Sequence, residues 1–113
     1  MLFRSVTVIT SAFDIVVDSQ RAYCVYNGDE IMKKVTGTGC QLSAIITAYI
    51  STYKEDVLKA TLAAVCTMGL CGEIAKRRMG NMEGNASFSN YLCDALFNLS
   101  PKDLETGAKY ETL

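Results

Sequence analysis

Lys34-Val35-Thr36-Gly37-Thr38-Gly39-Cys40 is the stretch on which the reading of this chain turns. Two glycines enclose a hydroxyl residue, and an amphipathic pattern starts directly behind them. Leu42, Ile45, Ile46, Tyr49, Ile50 and Tyr53 advance by steps of three and one, which keeps them on one face of a helix. Glycine lets the backbone approach a ligand closely, and the first-turn N–H groups of a helix lack partners within it, so a phosphate is the natural guest of such a loop. A tight turn with a buried cysteine would use the same residues. The stretch has neither the spacing and lysine of a Walker A loop nor a full dinucleotide-binding glycine pattern.

Upstream of the loop the sequence reads as β. Val6-Thr7-Val8-Ile9, Phe13 to Val17 and Ala22 to Tyr26 are short apolar or β-branched runs. Asp18-Ser19-Gln20-Arg21 is expected to close a hairpin between the second and third runs, and Asn27-Gly28-Asp29 has the residues that tolerate positive φ. Downstream the chain reads as helical. A pattern opening at Glu55 and Asp56 and closing at Lys76, Arg77 and Arg78 before Gly80 agrees with the helix dipole at both ends. Its middle, Ala60 to Gly72, is apolar nearly all round and rich in Ala and Gly, which predicts a buried helix closely approached by its neighbours. Ser87 is the expected N-cap of a third helix through Phe88, Leu92, Ala95 and Leu99, and Ser100-Pro101-Lys102-Asp103 starts a short fourth. The expected fold is α/β, with N-terminal strands followed by about four helices.

With 113 residues the chain holds one layered core at most. Half of it is hydrophobic and 20% is charged, a composition that folds. The 11 Lys and Arg against 12 Asp and Glu leave a formal charge of -1, and no window has the basic density that a nucleic acid or an anionic membrane surface would need. The chain has no histidine, which removes Ser-His and Cys-His catalysis and histidine-ligated metal sites. The five cysteines lack paired short spacing, so a reducing, cytoplasmic setting is expected, with Cys66 and Cys71 buried as small hydrophobes. Asp14, Asp18, Asp29 and Glu30 read as solvated turn or strand-end residues, and no metal-ligand set is read. No stretch reads as a membrane span. Met1-Leu2-Phe3-Arg4 carries no secretory pattern and looks like an abrupt start inside a fold.

Lys34 to Ser43, KVTGTGCQLS, resembles the anion-hole segment of the hydroxyethylthiazole kinases, ribokinase-like enzymes that phosphorylate the thiazole alcohol of thiamine salvage. The run ending at Thr10, Asp14, the Tyr26-Asn27-Gly28 turn, Met32, and Gly84 with Ser87-Phe88 are similar to this family in order and spacing. The resemblance runs through nearly the whole chain from about Val6. It is specific within the superfamily, whose other members mostly have an aspartate where Cys40 stands.

Several roles follow from the resemblance, position by position. Cys40 matches the catalytic residue beside the attacking hydroxyl; Gly37, Thr38 and Gly39 match the anion hole facing the transferred phosphoryl group. Gly37 also matches a substrate-contacting position, and Thr10 an ATP-contacting one. Ser11-Ala12-Phe13 departs from the family's usual glycine and acidic residue, and Ala86 replaces a glycine. The resemblance is to the C-terminal part of such a kinase, so residues 1–113 are expected to form a single partial domain of a layered, partly parallel sheet covered by helices. It implies ATP and Mg²⁺ as cofactors, hydroxyethylthiazole as substrate, and a homotrimer for the whole kinase. The upstream part of the family supplies most of the thiazole pocket, an ATP-contacting arginine and the acids that organise Mg²⁺. A ribokinase-like kinase for another small alcohol and a non-enzymatic nucleotide-binding or interaction fragment are the alternatives.

Overall fold

The computed structural model describes residues 5–113, so the expectation for Met1 to Arg4 lies outside the described residues. Strand formation starts at the expected turn. The Asp18 carboxylate accepts the N–H groups of Gln20 (2.8 Å) and Arg21 (2.7 Å), closing a hairpin between β2 (Asp14–Val17) and β3 (Ala22–Val25). The register pairs Ile15 with Cys24 and Val16 with Tyr23, which sends Val16 and Val25 into the core. β1 (Thr7–Ile9) joins the free side of β2, and β4 (Tyr110–Thr112) joins β3.

The sheet order is β1-β2-β3-β4, with every neighbouring pair antiparallel. The partly parallel sheet expected from the resemblance is therefore not formed among the described residues. Among the described residues β1 has no partner on its second side. β4 was not expected; its three residues are exposed and carry no apolar alternation, so only their pairing with β3 reveals them.

Four helices follow: α1 (Thr38–Thr52), α2 (Val57–Arg78), α3 (Asn85–Asn98) and α4 (Pro101–Gly107). α2 starts where the charge pattern placed it, with the Asp56 carboxylate accepting the Lys59 N–H at 3.2 Å. Arg21 clamps the same carboxylate through both guanidinium nitrogens, at 2.8 and 2.9 Å, and so ties the hairpin turn to the start of α2. At 22 residues α2 is long and apolar enough to cross a membrane by length and composition, but 72% of its most apolar window is buried inside this fold. It packs between α1 and α3 and against β2 and β3.

Two clusters make the core. Val16, Val25, Leu58, Leu62, Val65 and Cys66 lie between the sheet and the first half of α2, while Met68, Cys71, Ala75, Phe88, Leu92 and Val35 fill the second. Leu42 of α1 packs against both. α3 begins at Asn85 with Gly84 as its N-cap, three residues ahead of the expected cap Ser87, and the Gly84 carbonyl accepts the Phe88 N–H at 3.0 Å. α4 begins as expected, with a reciprocal Ser100–Asp103 capping box.

Candidate functional site

The glycine loop becomes a helix terminus. Gly37 has φ +99°, a left-handed conformation that a side chain would strain, and it forms the N-cap of α1 without any side-chain capping bond. The first helical hydrogen bond runs from the Gln41 N–H to the Gly37 carbonyl at 3.0 Å. The amides of Thr38, Gly39 and Cys40 therefore stand ahead of the helix's own hydrogen bonding. Thr38 donates its hydroxyl to the Met32 carbonyl at 3.0 Å, which fastens the terminus to the preceding 3₁₀ turn, Glu30–Lys33. α1 starts four residues before Leu42 for this reason.

In front of this terminus lies a cleft of about 560 Å³. Thr10, Ser11 and Ala12 form one wall; Tyr26, Asn27, Gly28 and Asp29 form another; Thr38 and Gly39 bring the helix terminus to it. α2 supplies the floor with Val65, Met68 and Gly69. The structure thus brings together three of the residues singled out in the sequence, Thr10, Thr38 and Gly39. Gly37 and Cys40 do not line the cleft but sit on its shoulder, and Cys40 is exposed, unlike the buried cysteine of the tight-turn alternative. A Cβ placed on Gly39 would meet nothing within 4 Å, so its missing side chain leaves the cradle open.

Of two further site residues, the sequence did not single out Lys33, and it marked Asp14 as part of the resemblance without giving it a role at the site. Lys33 lines the cleft, and so does Asp14. Asp14 opens β2, a strand-end residue as expected, but it is half-buried instead of solvated, and burial raises its carboxyl above the usual range against the opposing pull of the Ser11 N–H at 3.2 Å and of Lys33. Asp18 and Asp29 do act as turn residues, Asp29 accepting the Ile31 N–H at 3.0 Å.

The Asn27-Gly28 wall is held from below. Asn27 is buried; its amide donates to Glu73 (2.7 Å) and to the Gly107 carbonyl (3.0 Å), and its carbonyl accepts the Lys109 N–H (2.7 Å). Glu73 also accepts the Gly28 N–H at 3.3 Å and pairs with Lys109 at 2.7 Å. Burial alone would raise the Glu73 carboxyl, but these donors outweigh it and hold the group below its ordinary value. The loop can lie on α2 because Gly69 has no side chain: a Cβ there would come within 2.7 Å of the Asn27 backbone. Cys66 and Cys71 are buried as expected, and desolvation pushes each thiol up to about 11. Among the described residues no group of three or more His, Cys, Asp or Glu is arranged to hold a metal ion.

Comparison with known proteins places this geometry in a family. The model of the Hydroxyethylthiazole kinase family matches residues 2–102. A hydroxyethylthiazole kinase of Clostridium acetobutylicum is 48% identical over 108 residues, covering 96% of this chain and 40% of that protein. One from Desulfotalea psychrophila is 38% identical over 105 residues, 93% of this chain and 37% of its own length. The solved structure of a hydroxyethylthiazole kinase protein from Pyrococcus horikoshii OT3 superimposes with a TM-score of 0.86 at 33% identity, covering 96% of this chain and 41% of that one. The chain spans about 40% of the length of the relatives it matches.

Proposed function

From a chain that belongs to the hydroxyethylthiazole kinase family, we propose the phosphoryl-transfer portion of a kinase that moves the γ-phosphate of ATP to the hydroxyl of 4-methyl-5-(2-hydroxyethyl)thiazole, a step of thiamine salvage. The observation that carries this reading is the uncapped, glycine-bounded start of α1, open to a cleft that also holds Thr10. Phosphoryl transfer needs little covalent chemistry from the protein; it needs reactants in line and donors where charge develops. The amides of Thr38, Gly39 and Cys40, aligned with the positive end of a 15-residue helix, supply such donors. Thr10 holds the nucleotide from the opposite wall.

The alcohol oxygen attacks the γ-phosphorus, the bond to the β-phosphate bridging oxygen breaks, and ADP leaves. The Cys40 side chain orients or accepts the alcohol proton, and Gly37 beside it contacts the thiazole. Cys40 stands exposed on the shoulder and not inside the cleft, so the acceptor alcohol reaches the phosphate from the side that this chain does not fill. Mg²⁺ belongs to this reading as a companion of the nucleotide. The described residues assemble no ligand set for a resident ion, and no step here is routed through one.

Residues 1–113 form a partial domain in this reading, and the whole kinase is a cytoplasmic homotrimer. What supports further covering surfaces is α1, which carries no charged side chain yet leaves Cys40, Ser43, Ala44, Thr47 and Ala48 exposed. Amide NMR of the ¹⁵N-labelled chain tests the cradle directly. Both ATP and inorganic tripolyphosphate should shift the Thr38, Gly39 and Cys40 resonances; unchanged resonances at saturating ATP would refute the assignment.

A further inference from the structure

We propose that Tyr26 and Phe13 form an aromatic wall that receives the base of the bound nucleotide; this rests on the nucleotide reading above and adds the orientation of the ligand. Tyr26 lines the same cleft as Thr38 and Gly39, and Phe13 follows directly on the Thr10–Ala12 wall. Large aromatic rings normally bury most of their surface. These two leave 56% of Phe13 and 42% of Tyr26 exposed, Tyr26 lining the cleft and Phe13 packed against it. Their ring centroids are 5.1 Å apart with planes at 70°, an edge-to-face pair. In that arrangement the ring that offers its edge keeps both faces free for a third flat ring.

The wall is also fixed in place before any ligand arrives. The Tyr26 N–H donates to the Lys109 carbonyl at 2.8 Å, and its hydroxyl donates to the Glu111 carboxylate, so the segment 109–111 pins both the backbone and the tip of the side chain. Preorganisation of this kind removes the cost of ordering a rotamer on binding. Polarity within the cleft sets the direction of the ligand. The α1 terminus gathers amide donors at one side. Asp29 and Glu30 also line the cleft, carboxylates that repel phosphate and accept hydrogen bonds from a base bearing an amino group, such as adenine. The Phe13 side of the wall coincides with Ser11-Ala12-Phe13, the stretch that departs from the family pattern, so the aromatic pair belongs to this chain's own version of the site.

Calorimetric titration of the 113-residue chain with ATP and with inorganic tripolyphosphate tests the proposal, using Phe13→Ala, Tyr26→Leu and Tyr26→Phe, each checked by thermal melting. Base–aromatic stacking is worth about 1–3 kcal/mol, or roughly 5- to 150-fold in affinity. Phe13→Ala and Tyr26→Leu should each weaken ATP at least about fivefold and leave tripolyphosphate unchanged, while Tyr26→Phe, which keeps the ring, should retain ATP binding. ATP, and not tripolyphosphate, should move the Phe13 and Tyr26 ring-proton resonances upfield. Unchanged ATP affinity in both ring-removing variants overturns the aromatic wall and leaves the phosphate cradle standing. Equal loss of ATP and tripolyphosphate would show a merely structural role and also overturns it. Failure of the unaltered chain to bind either ligand overturns both readings.

Discussion

Gly69→Ala sets two effects of known sign against each other. In the middle of a helix, alanine is favoured over glycine by about 1 kcal/mol, so α2 taken alone gains from the change. The new Cβ, however, would lie 2.7 Å from the carbonyl carbon, the carbonyl oxygen and the Cβ of Asn27. The obstruction includes backbone, which cannot swing away like the end of a methionine, so the Asn27-Gly28 loop or α2 must move. Overpacking of this sort costs about 1–3 kcal/mol. Asn27 moreover makes three hydrogen bonds, to Glu73, the Gly107 carbonyl and the Lys109 N–H, and each is worth about 1 kcal/mol net. Loss of one or two of them together with the overpacking outweighs the helical gain by about 1–4 kcal/mol. A domain of this size loses about 4–8 °C per kcal/mol, so thermal melting followed by circular dichroism should show a fall of at least about 4 °C. Gly39→Ala is the control: its Cβ meets nothing within 4 Å, and its melting temperature should hold or rise. A Gly69→Ala protein that melts higher than the unaltered chain would refute the close packing of the Asn27 loop on α2, and with it this account of the cleft wall.

The remaining expectations concern activity, thiols and acid. The isolated chain should show no thiazole-dependent ADP formation, whereas its fusion to the complementary N-terminal portion of the Clostridium acetobutylicum relative should; activity on another small alcohol in preference to thiazole would overturn the substrate assignment. Within that fusion Gly39→Val should reduce kcat/KM well beyond the effect of Cys40→Ser, because the valine side chain fills the open cradle while serine keeps a hydroxyl partner and general-base help is worth about 10²–10⁴ at most. A thiol reagent should modify Cys40 and Cys93 rapidly and Cys24, Cys66 and Cys71 only on unfolding, with tripolyphosphate slowing Cys40 alone; rapid reaction of all five would contradict the packing. Arg21 holds the Asp56 carboxyl down to about 2, below its unfolded value, so the pair's contribution is present above about pH 4 and is lost as pH falls toward 2. Asp56→Asn, which keeps a capping side chain, should flatten that acid limb of a melting-temperature profile; an unchanged limb would show that the pair contributes nothing there.

Where the sequence was informative, the determining contacts are short in range. The hairpin follows from Asp18 and its neighbours Gln20 and Arg21, and α2 from a carboxylate at its start and basic residues in its last turn. The Ala- and Gly-rich middle of α2 also announced a close approach, which the structure realises where Gly69 meets Asn27 and Gly72 meets Met32. The glycine loop was legible because a helix terminus and its open backbone are local properties of residues 37–40. Cleft construction is not local. Glu73 is a lone carboxylate in an apolar helix, and its partners Asn27 and Lys109 lie 46 and 36 residues away, a separation that no periodicity encodes. The same holds for Lys33 and Asp14, which face one cleft from different segments, and for β4, whose exposed residues acquire a role only through β3. The signal available at Glu73 was its cost. A carboxylate between Gly72 and Ile74 in a buried helix has to be paired, and its surroundings had to include donors. The donors turn out to be the loop that walls the cleft and the strand-bearing C-terminal segment. A charge that stabilises nothing locally is what joins α2, the cleft wall and the chain's end into one support for the site.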